Sequence, residues 1–224
     1  MTTRLLFLND TRMSDAKIAL QYDNNMLNVD KTIIYYGPSD PAFDTFCNFP
    51  VKKDVELILK TNHLDDFYKF GGWISQQFLK LLAIHYCDDN EILIQDCDVY
   101  LNAPYDFFPN GNPATLIHSD QTEAVEYYEY IEKILSIPRQ TTDCFVTEFM
   151  PITKNNWLAL VDRIENLHQK NWFDAIFDII DNDYTGNQIW FSEYEFLGNW
   201  QLFMNPNLIV NEQKMYCENI WPNV

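Results

Sequence analysis

The sequence is poor in several features that define large classes of proteins. Basic residues are few: 15 lysines and arginines stand against 33 aspartates and glutamates, which gives a net charge of −18 over 224 residues. This charge repels phosphate backbones and anionic lipid surfaces, so we expect no nucleic-acid partner. No apolar run approaches the length of a membrane span, about 18 residues. An anionic substrate must therefore meet a local cation or a bound metal.

Motifs built on cysteine or glycine are equally scarce. The five cysteines are odd in number and lack a C-x-x-C pair, which favours reduced thiols over a disulfide framework or a zinc ribbon. Among only six glycines there is no P-loop, no G-x-G-x-x-G cradle and no G-x-S-x-G nucleophile motif. The apolar run at residues 5–8 is short for a signal peptide. We therefore expect a cytoplasmic protein.

Apolar and aromatic residues are plentiful enough for a core. They make up 47% and 16% of the chain, while charged residues make up only 21%, which is far from the composition of a disordered protein. Internal repeats, low-complexity tracts and proline-rich linkers are missing from the sequence. We therefore expect one domain over residues 1–224.

Strand-like and helix-like segments alternate along the chain. Runs rich in β-branched residues predict strands at residues 4–8, 32–36, 55–60, 91–95 and 143–147, with polar turns at 37–40 and 181–186. Apolar positions spaced by three and four predict helices at residues 73–85, 123–136, 154–168 and 172–180. Thr153 is the predicted N-cap of the third helix. This alternation predicts an α/β fold, with a mostly parallel central sheet flanked by helices.

The sharpest feature is the segment Ile92-Leu93-Ile94-Gln95-Asp96-Cys97-Asp98, a hydrophobic strand that ends in two carboxylates. Side chains at i and i+2 of an extended segment share a face, with Cα atoms about 6.6 Å apart. Ligands of parallel sheets bind beyond the carboxyl ends of the strands. Mg²⁺ or Mn²⁺, held by one or two carboxylates plus substrate phosphates, would offset the repulsion of this pair. We therefore predict a metal at Asp96 and Asp98; a chance pair in an acidic chain is the alternative.

Two further blocks flank this pair. Gln76, Gln77 and Lys80 lie on the helix before the strand, where Gln76 and Lys80 share a face and Lys80 can supply a cation for phosphate; a solvated helix side is the alternative. Downstream, residues 191–200 place Glu193 and Glu195 among aromatic residues. Aromatic rings stack on the C–H faces of a sugar while acids bind its hydroxyls. An aromatic core segment with exposed glutamates is the alternative there.

The order of these blocks resembles a poorly characterised family of short GT-A-type glycosyltransferase-like proteins found in bacteria and their phages. The blocks are Gln76-Gln77-x-x-Lys80-Leu81, Asp96-Cys97-Asp98, Thr147-Glu148-Phe149-Met150 and Ser192-Glu193-Tyr194-Glu195-Phe196. The resemblance covers roughly residues 55–200. It implies a Rossmann-like nucleotide-diphospho-sugar fold, with a nucleotide-sugar half over about 1–100 and an acceptor half over about 101–224.

The resemblance also implies roles for single residues. Asp96 and Asp98 would bind the metal, and Asp96 would bind the nucleotide-sugar together with Lys80, Gln76, Gln77 and Trp73. The location would be the host cytoplasm if a phage encodes the chain. The sequence offers no clear third metal ligand, such as a late histidine.

The expected activity is transfer of a sugar from a UDP- or GDP-sugar to an acceptor hydroxyl, with a glycan as one candidate acceptor and Mn²⁺ or Mg²⁺ as cofactor. An inverting reaction needs a carboxylate base beside the acceptor, for which the candidates are Glu193, Glu195 and Glu148, in that order. Two alternatives stay open. One is a non-catalytic acidic α/β interaction protein that retains the fold. The other is an aspartyl phosphatase, whose aspartate pair usually lies on the first strand rather than in mid-chain.

Overall fold

The computed structural model describes residues 1–8, 13–23, 26–36, 51–109, 115–119, 126–185, 190–212 and 217–219. The strands are β1 (Thr2–Leu8), β2 (Lys31–Tyr36), β3 (Val51–Lys53), β4 (Glu91–Asp96), β5 (Val99–Leu101), β6 (Leu116–His118), β7 (Phe149–Thr153), β8 (Val210–Glu212) and β9 (Cys217–Asn219). The helices are α1 (Met13–Asp23), α2 (Asp54–Ile58), α3 (Gly72–Tyr86), α4 (Glu126–Leu135), α5 (Lys154–His168), α6 (Trp172–Asp183) and α7 (Glu193–Met204).

A five-stranded sheet in the order β3-β2-β1-β4-β7 lies at the centre. β1 pairs in parallel with both β2 and β4, so that Leu5 is paired with Ile33 on one side and Ile94 on the other. All seven residues of β1 are buried, as expected for a strand covered on both faces. Only β7 joins antiparallel, at the edge beside β4. The predicted α/β fold with a mostly parallel sheet flanked by helices is confirmed.

Aromatic packing fixes helix α3 against the other helices. The ring of Phe78 in α3 lies 5.2 Å from that of Phe173, 5.8 Å from that of Phe177 and 6.1 Å from that of Phe191, measured between centroids. Each such pair contributes about 0.5 to 1.5 kcal/mol beyond its buried area. Because α3 carries Lys80, this cluster also fixes the position of the lysine backbone.

Helix α7 approaches the segment before β7 at a glycine. A Cβ atom added at Gly198 would lie 2.4 Å from Cδ2 of Phe145, a side chain that is itself fully buried. No ordinary side-chain contact is so short, so only glycine allows this approach. The contact sets how closely α7, which carries Glu193 and Tyr194, packs on the segment before β7.

Most predicted elements are confirmed. The strands at 4–8, 32–36 and 91–95 and the helices at 73–85 and 154–168 agree with β1, β2, β4, α3 and α5 to within one residue at most boundaries. Thr153 is the N-cap of α5, since its Oγ1 accepts a hydrogen bond from the N–H of Asn156 at 3.3 Å. The turn predicted at 37–40 and the first three residues of the helix predicted at 123–136 lie outside the described residues. Among the described residues, none of the helices combines the length and the apolar character that crossing a bilayer requires.

Three local predictions are wrong. The strand predicted at 55–60 is instead helix α2 (Asp54–Ile58), which ends in a turn where the N–H groups of Lys60 and Thr61 donate to the carbonyls of Leu57 and Ile58, bonds that a strand cannot make. The strand predicted at 143–147 begins later, at Phe149, because the N–H of Phe145 donates to the carboxylate of Glu195.

The polar turn predicted at 181–186 instead begins as the last turn of α6. That helix continues to Asp183, and its terminal acids, which the helix dipole disfavours, are paired with lysines. Lys69 Nζ lies 2.7 Å from Asp181 Oδ1, and Lys133 Nζ lies 2.7 Å from Asp183 Oδ2.

Candidate functional site

A cavity of about 280 Å³ opens at the carboxyl edge of the central sheet. Phe7, near the end of β1, and Asp96, the last residue of β4, both line it. Its polar and charged walls include Gln76, Gln77, Lys80, Asp96, Asp98 and Glu148. The first three of these come from α3, so the predicted helix and the predicted aspartate pair meet at one cavity.

The aspartate pair spans the end of a strand and the turn that follows it. Asp96 closes β4, and Asp98 lies in the two-residue turn before β5. The N–H of Asp96 donates to the carbonyl oxygen of Glu148 at 3.0 Å. Both aspartates line the cavity, and the charge of Asp98 contributes to raising the pKa of Asp96. The pair is therefore close together at the carboxyl edge, where ligands of parallel sheets bind.

Lys80 forms the base of the site. Its side chain is 1% exposed, and its Nζ lies 2.8 Å from Oδ1 of Asp96 and 2.5 Å from Oε1 of Glu193. The same Nζ donates to the hydroxyl of Tyr194 at 3.3 Å and lies 4.4 Å from the centroid of that ring. A single buried cation thus faces two carboxylates and one phenol.

Burial and charge act in opposite directions on the pKa values of this cluster. Burial alone lowers the pKa of Lys80, but the charges of Asp96 and Glu193 outweigh it, and the pKa is raised. Burial raises the pKa of both Asp96 and Glu193, and Lys80 opposes this only in part. Burial also raises the pKa of Tyr194 well above its usual value, with the neighbouring carboxylates adding to the shift. Burial therefore outweighs the effect of the single cation and keeps the pKa of both carboxyl groups high.

The two glutamines of α3 differ in what they contact. The amide of Gln77 donates to the carbonyl of Trp73 at 3.2 Å and accepts from the N–H of Glu193 at 3.4 Å, so it links α3 to α7. Gln76 is half-buried, and its amide has no hydrogen-bond partner among the described residues. Trp73 is 42% exposed at the rim of the cavity. Gln76 is thus the amide that a ligand in the cavity can reach.

The three candidate bases are in three different environments. Glu193 is 0% exposed and bound to Lys80, and its Oε2 has no hydrogen-bond partner among the described residues. Glu195 is 0% exposed as well; it accepts from the N–H of Phe145 at 2.8 Å and from the amide of Asn199 at 3.2 Å, and it does not line the cavity. Glu148 is half-buried and lines the cavity.

Glu148 also has an uncommon backbone conformation. Its φ is 58°, in the left-handed region, and unlike Gln169, which caps α5 with a similar φ, it does not follow a helix. A residue other than glycine in this region costs roughly 1 to 2 kcal/mol. Such strain concentrates at functional sites, where it directs a side chain or a carbonyl group. Here the conformation directs the Glu148 carbonyl to Asp96.

The residues present suit a hard divalent cation that also binds substrate phosphates. Among the described residues, three carboxylates line the cavity, those of Asp96, Asp98 and Glu148, and Lys80 is the one basic residue of the lining. No group of three or more histidine, cysteine or acidic side chains is arranged to hold a metal within the described ranges. Mg²⁺ and Mn²⁺ are commonly held by only one or two carboxylates, with the remaining ligands from water and phosphate.

Sequence reasoning missed part of the surroundings. Tyr194 lies in the sequence block 192–196, but nothing in that block predicts that the tyrosine hydroxyl accepts a hydrogen bond from Lys80, 114 residues away. The aromatic residues of that block, such as Phe196 and Trp200, are buried in the core rather than presented to a sugar. Tyr127 and Trp190, whose rings meet near Trp73, carry no sequence signal at all.

The fold is similar to that of known glycosyltransferases. The crystal structure of mouse xyloside xylosyltransferase 1, apo form, aligns with a TM-score of 0.53 at 11% identity, over 93% of this chain and 84% of that chain. The structure of galactosyltransferase LgtC, in complex with donor and acceptor sugar analogues, aligns with a TM-score of 0.46 at 13% identity, over 79% and 70% of the two chains. The first likeness shows a Rossmann-like α/β fold of the GT-A type, as the sequence predicted.

The sequence was also compared with curated proteins and with models of protein families. None of the curated proteins matches the chain. A family model described as "Family of unknown function (DUF6492)" matches residues 51–216, which include α3, the aspartate pair, Glu148 and α7. Since this match covers most of the chain, the protein belongs to the DUF6492 family.

Proposed function

We propose that the protein is a glycosyltransferase that moves a sugar from a nucleotide-diphosphate donor to an acceptor hydroxyl. One observation carries this proposal. In a GT-A-type fold, the cavity at the carboxyl edge of the sheet brings Asp96, Asp98, Gln76 and Glu148 together above the buried Lys80.

Charge explains why the donor needs a divalent cation. In the part of the chain that the structure describes, the cavity lining has three carboxylates and a single lysine, so a bare diphosphate is repelled from it. We assign Asp96 and Asp98 as the residues that hold Mn²⁺ or Mg²⁺. When bound, the ion supplies positive charge that stabilises the leaving diphosphate. We assign Gln76 as a hydrogen-bond partner of the donor and Trp73 as its boundary at the rim, since both line the cavity.

Lys80 acts on the donor through Asp96. Its Nζ is within 3.0 Å of both carboxylate oxygens of Asp96 and is fully buried, so it holds that carboxylate in one orientation. Glu193 and Tyr194 hold the lysine from the other side. Lys80 is therefore a positioning residue, which is a different role from the phosphate cation expected from its spacing alone.

The transfer step needs a base beside the acceptor hydroxyl. In an inverting reaction the hydroxyl oxygen bonds to the anomeric carbon, the bond from that carbon to the diphosphate breaks, and a carboxylate takes the hydroxyl proton. Among the three candidates, Glu148 lines the cavity and is half-buried, whereas Glu193 and Glu195 are fully buried. We therefore assign the proton transfer to Glu148. The donor-binding residues come from the first hundred residues and the base from the second half of the chain.

Binding of the donor is the decisive test. We expect UDP or GDP with Mn²⁺ to raise the melting temperature of the wild-type protein, and neither component to do so alone. At a ligand concentration about 100 times Kd the gain is about 2.7 kcal/mol, or roughly 5 to 10 °C for a chain of this size. Asp98→Asn should abolish the shift. Asp65→Asn, at an exposed aspartate outside the cavity, is the matched control and should keep it.

Calorimetric titration and a panel of nucleotide-sugars complete the test. We expect slow donor hydrolysis that depends on Mn²⁺ for at least one UDP- or GDP-sugar and that Asp98→Asn abolishes. A protein that ignores both nucleotides in the presence of Mn²⁺ and Mg²⁺ is instead the non-catalytic interaction protein. Binding without hydrolysis or transfer for any donor would also overturn the proposed activity.

A further inference from the structure

Three aromatic rings form a row that begins at the rim of the cavity. Trp73 lines the cavity, its ring centroid lies 6.4 Å from that of Tyr127, and the ring of Tyr127 meets that of Trp190 at 5.7 Å. Trp73 comes from α3, Tyr127 from the first turn of α4, and Trp190 from the segment before α7. Three distant parts of the chain thus build one surface feature.

The three rings are exposed or half-buried, and their polar atoms make no hydrogen bonds among the described residues. Trp73 is 42% exposed, and Tyr127 and Trp190 are half-buried. Among the described residues, no hydrogen-bond partner exists for the indole N–H of Trp73, the hydroxyl of Tyr127 or the indole N–H of Trp190. Trp157 and Trp200 differ, since their indole N–H groups donate to His85 and to the carbonyl of Asn156. Two buried tryptophans, Trp157 and Trp200, therefore satisfy their N–H groups, whereas the row does not.

We propose that the row Trp73, Tyr127 and Trp190 binds the acceptor, and that this acceptor is an uncharged saccharide of at least two sugar rings. This inference rests on the proposed function, which places sugar transfer in the adjoining cavity. Trp73 borders both the donor and the acceptor, whereas Tyr127 and Trp190 bind the acceptor alone.

The chemistry of the row fits a saccharide. Aromatic faces accept the C–H faces of sugar rings, and free indole N–H and phenol groups donate to sugar hydroxyls. The neighbouring charges select against anions, because Asp98 and Glu148 line the adjoining cavity and the chain carries a net charge of −18. The row extends over more than one ring, so a disaccharide can contact the cavity and Trp190 together.

Saturation-transfer difference NMR of the full chain tests the proposal directly. The probes are lactose, cellobiose, maltose and N,N′-diacetylchitobiose at millimolar concentration, each with and without UDP and Mn²⁺. We expect at least one disaccharide to bind the wild type, and Trp190→Ala to weaken this binding about five-fold or more. Phe203→Ala is the matched control: this ring is 41% exposed, lies near the end of α7 and stacks on Trp200, so its removal should leave binding unchanged.

Other outcomes separate this inference from the proposed function. Trp73→Ala, at a more exposed position, provides a second variant should Trp190→Ala not fold. If none of the four disaccharides binds, or if both variants bind them as the wild type does, the row is not a saccharide site. Saccharide binding that persists in a protein without affinity for UDP or GDP would keep the row and overturn only the glycosyltransferase.

Discussion

Lys80 Nζ lies 2.8 Å from Oδ1 of Asp96, and this ion pair joins helix α3 to the end of strand β4 at the base of the cavity. Glu193 occupies the other side of the lysine at 2.5 Å. The arrangement leaves a buried cluster with one more negative than positive charge. Both oxygens of the Asp96 carboxylate are therefore bound to one buried lysine.

Replacing Lys80 should destabilise the protein, because two buried carboxylates then lose their cation. Lys80→Met leaves two buried carboxylates without a cation, and we expect it to lower the free energy of unfolding by about 3 to 5 kcal/mol. Adding Glu193→Gln should recover part of the loss, because one buried charge is then removed. Urea denaturation measures the free energy of unfolding of the single and the double variant. Lys170→Met, at an exposed ion pair, should be close to neutral; a Lys80→Met protein as stable as this control would contradict the interpretation.

Glycine at position 198 should be essential for packing. Gly198→Ala forces Phe145 or α7 to move, and we expect a loss of about 1 to 3 kcal/mol in the free energy of unfolding. Gly72→Ala is the control, since a Cβ there meets no atom within 4 Å. If the clash is the cause, Phe145→Leu should partly rescue Gly198→Ala in thermal denaturation, and the two changes should not be additive.

The left-handed conformation of Glu148 predicts a difference between two truncations. Glu148→Gly and Glu148→Ala both remove the carboxylate, but only glycine adopts φ 58° without strain. We expect the glycine variant to be more stable than the alanine variant by about 1 kcal/mol. Both should bind UDP with Mn²⁺ and fail to transfer sugar. Equal stability in chemical denaturation would mean that the backbone relaxes at this position.

His85 should make stability depend on pH. Burial and the charge of Lys154 lower its pKa, and its Nδ1 accepts the indole N–H of Trp157 at 3.3 Å. The unfolded chain therefore takes up a proton at this residue at a higher pH than the folded protein does. Stability should fall from about pH 7 towards about pH 5, and less so in His85→Gln. Parallel pH profiles of the two proteins would show that His85 does not contribute.

The sequence alone determined those helices and strands whose ends and apolar spacing can be read from neighbouring residues. Helix α5 begins at a threonine that caps it and repeats apolar residues every three or four positions, so its bounds follow from the chain itself. The aspartate pair at the end of β4 is likewise visible in the sequence, because three apolar residues, Ile92 to Ile94, are followed within four positions by two carboxylates. The α/β fold follows from the alternation of such segments.

Tertiary contacts decided the rest. Residues 55–60 contain a short apolar run that fits a strand or a helix, and its packing in the core, which the run itself does not specify, gives helix α2 with Leu57 and Ile58 buried. The ion pair of Lys80 with Glu193 and the row formed by Trp73, Tyr127 and Trp190 join residues that are far apart in the chain. Such contacts depend on how helices pack on the sheet, and a pattern of neighbouring residues carries no record of that packing.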